Sequence, residues 1–136
     1  MYYKILNKIF SNKYILIMDY KLQQHFLELT KQIEVDFGEG IDTEGIMLLI
    51  GIQELGQGYK EFSKDEKINL IHVATCTILE PYGYYKFKEN DDEGWPHFDL
   101  VENLPNLDNR QQEHLMKEAI VSYFRENEYY KSENSL

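Results

Sequence analysis

His72 and Cys76 stand four residues apart in KINLIHVATCTIL, so on a helix both side chains face one point. An imidazole and a thiol are metal ligands and a proton-transfer pair. Zinc needs three or four such ligands, and no spacing in the chain selects a further partner from His25, His97 or His114. A packed histidine and a buried thiol are the favoured reading of this pair. Glu54 is the second candidate, because it interrupts the apolar segment GIMLLIGIQEL. If residues 42–79 form an antiparallel helical hairpin, Glu54 comes level with Asn69 and one turn from His72. A buried carboxylate needs hydrogen-bonding partners, which those side chains could supply. Glu54 and His72 are therefore the candidates for acid–base work, and His72 and Cys76 for metal. A polar tie between two helices is the preferred role of Glu54. No residue is assigned as catalytic, and no cofactor is expected.

The segment ENDDEGWPHFDL (89–100) has the oxygen spacing of a calcium loop at its first, third and fifth places, with Gly94 sixth. The twelfth place requires a bidentate glutamate and is Leu100. An acidic turn is the better reading. Phosphate loops, HExxH, paired CxxC and nucleophile-elbow signatures are absent from the sequence. What remains is a run of aromatics, Tyr82 to Phe98, interleaved with acids. That mixture describes a partner-binding surface with aromatic anchors and a charged rim over 82–99, its bets being Tyr84, Tyr85, Trp95 and His97. The competing reading has the tyrosines covering the end of a helical bundle.

Four helices must position these residues. The first is expected over 19–37, capped by Asp19, with Leu22, Phe26, Leu29 and Ile33 as its stripe and His25 beside it. The second runs over 43–59, with Leu48, Ile52, Leu55 and Tyr59 on one ridge and Ile46 and Ile50 on another. Gly51 and Gly56 lie inside it, and each interior glycine costs up to about 1 kcal/mol relative to alanine. Close approach by a neighbouring helix is the expected compensation. Ser63 and Glu66 form a capping box for a third helix over 63–79, with Ile68, Ile71, Ala74, Thr75 and Ile78 on one face. Asp108 and Gln111 start a fourth over 108–127, buried through Leu115, Met116, Ala119, Ile120 and Tyr123. Glu113 and Lys117 are spaced to pair on its outer side.

The fold class is mainly α: a four-helix bundle-like domain with an aromatic-rich β-hairpin or long loop inserted before the last helix. Residues 1–17 carry three lysines and no acid and are expected to be a basic extension, disordered or loosely packed. A single helical domain spans 18–130, and 131–136 is a polar tail. The net charge of −10 disfavours nucleic acid and anionic membrane, and no apolar run reaches the ~18 residues of a membrane span. A single cysteine suits the cytoplasm. The leading function is a small acidic cytoplasmic interaction or accessory protein, non-catalytic, that meets a protein partner; the runner-up is a metal or acid–base site on Glu54, His72 and Cys76. The sequence leaves a homo-oligomer open.

Overall fold

The computed structural model describes residues 12–131, with side chains from residue 19 onward. The chain is mainly helical: α1 (Asn12–Phe37), α2 (Thr43–Leu55), α3 (Lys64–Leu79), a 3-10 turn (Glu80–Tyr82), strands β1 (Tyr85–Asn90) and β2 (Pro96–Leu100), then α4 (Asn109–Glu126). It divides into two compact units, where one domain over 18–130 is the sequence expectation. One unit holds α1 and α4, and the other, residues 41–104, holds α2, α3 and the hairpin.

The first helix begins at Asn12, inside the expected extension. Residues 1–11 and 132–136, which include most of that extension and of the polar tail, lie outside the described residues. Asp19 is thus interior to α1 rather than its cap, and its carboxylate is spent on α4. It accepts from His114 Nδ1 at 2.9 Å and from Arg110 Nη2 at 3.3 Å. Leu22, Leu29 and Ile33 of α1 and Leu115, Ala119, Ile120, Val121 and Phe124 of α4 are all buried residues of this unit. Met116 and Tyr123, expected on the buried face, are half-buried, while Val121 and Phe124 take the interior positions. The Glu113–Lys117 pair forms at 2.9 Å.

After α4 the chain turns back. Tyr130 is buried and donates from its hydroxyl to Glu28 at 2.6 Å. Tyr129 donates to Asp36, and its carbonyl accepts from Gln32 Nε2 at 2.6 Å. Burial, then the neighbouring Asp36, pushes the Tyr129 phenol well above its ordinary range. The Arg125 guanidinium lies 5.6 Å from the Tyr130 ring centre and donates to His25 Nδ1 at 2.7 Å. Burial first, and then the Arg125 charge, hold His25 below its ordinary value.

In the second unit, Asp42 caps α2 by accepting from the Gly45 amide at 2.8 Å. Ile46, Met47, Ile50 and Leu55 are buried. The helix ends at Leu55 rather than residue 59, because Gly56 adopts φ 70°, a left-handed conformation open to glycine at no steric cost. Tyr59 consequently leaves the expected ridge and is 85% exposed. At Gly51 the backbones of α2 and α3 come into close approach. A Cβ there would overlap the Leu70 carbonyl oxygen and lie 2.7 Å from its carbon. The expected close approach is present, and it explains a glycine in the middle of a helix.

The capping box of α3 is complete: Glu66 N–H donates to Ser63 Oγ at 3.1 Å, and Ser63 N–H donates to Glu66 Oε1 at 2.9 Å. Its interior residues are Leu70, Val73, Ala74, Cys76, Ile78 and Leu79. Ile68, expected on the buried face, is 57% exposed. Leu70 instead packs with Leu55 and Phe62, and Leu48, Ile52 and Trp95 lean on that cluster.

Candidate functional site

Pro81 and Gly83 end α3, and Gly83 at φ 84° swings the chain into β1. The two strands are antiparallel, so of the two expected forms, hairpin or long loop, the hairpin is present. Tyr85 faces Leu100, Lys86 faces Asp99, and Phe87 faces Phe98. The last two rings meet edge to face, 5.8 Å between centres. A register shift between Phe87 and Glu89 then brings His97 opposite Glu89 and Pro96 opposite Asn90. Proline is tolerated here because a two-stranded sheet consists only of edges.

Asp91 builds the turn. Its Oδ1 accepts from the amides of Glu93 and Trp95, each at 2.9 Å, and its Oδ2 accepts from His97 Nε2 at 2.9 Å. The His97 bond, followed by the Trp95 amide, holds the Asp91 carboxyl below the usual carboxylate range. Gly94 closes the turn at φ 88°. From the loop between α2 and α3, Gln57 Nε2 donates to the Glu93 carbonyl at 2.8 Å and ties the turn down. Asp91 thus serves its own turn.

Between this turn and α3 lies a cleft of about 350 Å³, lined among others by Glu66, Asn69, His72, Glu93, Trp95 and His97. Asp91 and Phe98 also border it. Two of the sequence-selected aromatic-segment residues, Trp95 and His97, are therefore on one concave surface. Tyr85 is half-buried and sets its ring edge-on to His72, 6.5 Å between centres. Tyr84 is not a surface residue: it is 2% exposed. It sits where the chain leaves α3, its amide donating to Leu79 O and its carbonyl accepting from Val101 N–H at 2.9 Å. Burial, and then the Glu102 carboxylate, raises its phenol above the ordinary range. Position in the aromatic run gives no warning of this, since Tyr84 and Tyr85 have the same side chain, yet one is buried and the other half-buried.

Glu54 is exposed, not buried, so the desolvation cost that demanded a polar tie does not arise. Cys76 Sγ lies 3.6 Å from His72 Nε2, as the i, i+4 spacing predicts. Yet Cys76 is completely buried, and burial pushes its thiol up to about 11. A nucleophilic cysteine needs the opposite shift, toward thiolate at neutral pH. Among the described residues, no group of three or more His, Cys, Asp or Glu is placed to hold a metal ion. Nor, among the described residues, is any helix long and apolar enough to cross a membrane.

The cleft is set by two residues that sequence reasoning did not select: Gln57, which bonds the Glu93 carbonyl, and Asp91, which bonds the Glu93 and Trp95 amides. Both act by fixing where Glu93, Trp95 and His97 stand. Comparison of the chain with protein families, with curated proteins and with solved structures gave no match.

Proposed function

We propose that this protein is a small, non-catalytic interaction or accessory protein that meets a protein partner through the hairpin segment 82–99. The observation that carries the reading is the cleft between α3 and the turn, where Trp95 and His97 share a concave surface with polar side chains. Beside it the hairpin offers exposed apolar area: Phe87 is 45% exposed and Leu100 57%. Aromatic anchors inside a polar rim are the usual anatomy of such surfaces. Tyr85 remains in the proposed surface and Tyr84 does not, its role being to fix the base of the hairpin.

The net charge of −10 supports a protein partner over nucleic acid. The single cysteine supports a cytoplasmic location. Packing of the four helices as one bundle and self-association belong to the same proposal. The acid–base alternative loses support, because Glu54 is exposed and the Cys76 thiol is held protonated.

The test is affinity capture with wild-type protein and with Tyr85→Ala/His97→Ala. The double variant should lose the captured protein while its helical circular dichroism is unchanged. Retention of the same partner by the folded double variant overturns the proposal.

A further inference from the structure

We infer that the cleft between α3 and the 91–95 turn receives the guanidinium of an arginine side chain carried by the partner. The inference rests on the interaction reading above and names the chemistry of the group that enters. Charge complementarity comes first. The unit of residues 41–104 holds thirteen acidic residues against five lysines, and none of the described residues lining the cleft is Lys or Arg.

The availability of acceptors is the second point. Asp91 is consumed by its own turn, both oxygens being engaged. Glu66 commits only Oε1 to the capping box, leaving Oε2 at the cleft. The Glu93 side chain makes no hydrogen bond among the described residues, while its backbone carbonyl is pinned by Gln57. Asn69 adds a neutral amide oxygen to the same wall. Two carboxylates and an amide around one opening are an acceptor set seeking a donor-only ligand. A guanidinium presents five donors in a flat fork and no acceptor.

The third point is the wall. Trp95 is half-buried, braced against the cluster of Leu55, Phe62 and Leu70, and borders the cleft with Pro96 and Phe98. An aromatic wall beside carboxylates favours a planar, weakly hydrated cation, which distinguishes arginine from lysine. A volume of about 350 Å³ is at the small end of ligand pockets, the scale of one inserted side chain.

Trp95 is the only tryptophan in the chain, so its emission reports on the cleft alone. The full chain is titrated with a blocked Gly-Arg-Gly peptide, and with the same peptide carrying citrulline or lysine. The arginine peptide should give a saturable change, with citrulline and lysine at least tenfold weaker. Glu66→Gln/Glu93→Gln should weaken arginine binding tenfold or more. Its melting temperature should stay unchanged, because glutamine also completes a capping box. Equal binding of citrulline, an unaffected double variant, or no saturable change overturns the inference. Loss of partner capture in Tyr85→Ala/His97→Ala with no arginine binding leaves the interaction reading standing and removes the arginine site. Arginine binding with capture unaltered supports the site and overturns the hairpin as the docking surface.

Discussion

The α1–α4 unit and the α2–α3 unit are both pairs of helices, yet they are joined by different physics. Between α1 and the segment containing α4, the contacts seen at the edges are polar and long in sequence: Asp19 with His114 and Arg110, Glu28 with Tyr130, Asp36 and Gln32 with Tyr129. Between α2 and α3 the decisive contact is steric, a glycine backbone set against the Leu70 carbonyl. The first arrangement depends on protonation states and side-chain reach. The second depends on the absence of one methyl group. Two helical pairs of one chain should therefore fail under different insults.

The largest effect is expected from Gly51→Ala. In an ordinary helix interior this change stabilises by up to ~1 kcal/mol. Here the new methyl must displace Leu70 or its helix, and overpacking of this kind should destabilise by about 3 kcal/mol. Hydrogen exchange should show the loss in α2 and α3. A neutral or stabilising result would remove the steric half of the comparison.

Tyr130→Phe comes next. It keeps the buried ring and deletes the hydroxyl that Glu28 accepts from. Loss of a hydrogen bond to a charged group should cost about 1.5 kcal/mol. Exchange should rise in α1 and α4, with α2 unchanged. Equal loosening of both units would show that they are not separable in this way.

Acid sharpens the comparison further. His25 and Asp19 both have lowered values in the folded chain, so folding releases their protons. Stability from His25 is present above its ordinary value near 6.5 and is lost as pH falls through the depressed one. Asp19, held low chiefly by the His114 hydrogen bond, acts in the same direction below about 4. Tyr129 closes the window from the other side, losing its contribution above about 10. Exchange measured from pH 7 to 4 should therefore loosen α1 and α4 before α2 and α3. His25→Phe should flatten the upper part of that profile. An unchanged profile in the variant would show that His25 does not govern it.

His97→Ala should have the smallest effect on the fold. The residue is exposed, and surface substitutions usually stay within about 0.5 kcal/mol. A melting shift well beyond that would mean that the Asp91–His97 bond is structural, and would weaken its assignment to a binding surface.

Local signals were the legible ones. The caps at Ser63 and Asp108 follow from residue types at fixed offsets, and each forms as expected. Gly51 was readable because an interior glycine needs a reason. Three kinds of residue were not readable. Tyr130 and Tyr129 look like the end of a frayed helix until they are seen to reach back about 100 residues to Glu28 and Asp36. Tyr84 precedes the strand and is buried, whereas Tyr85 opens it and is half-buried, a difference that two identical side chains do not signal. Glu54 looked buried because its neighbours in sequence are apolar, but a helix with two buried sides still keeps a third in solvent. Part of the candidate site was legible on the same grounds. Trp95 and His97 were selected by composition, whereas Glu66, Asn69 and Glu93 join them only because Asp91 and Gln57 fold the turn onto α3.

The burial of Cys76 makes the chain a clock. It holds a single sulfhydryl, inaccessible from outside and weakly acidic even at pH 8. An alkylating reagent can therefore consume it only during moments when α3 is uncovered. Each labelled molecule records one such event, and the labelling rate, read by mass, counts how often this half of the protein breathes. Ligand in the nearby cleft should make that clock run slow, with no need to know the ligand's name.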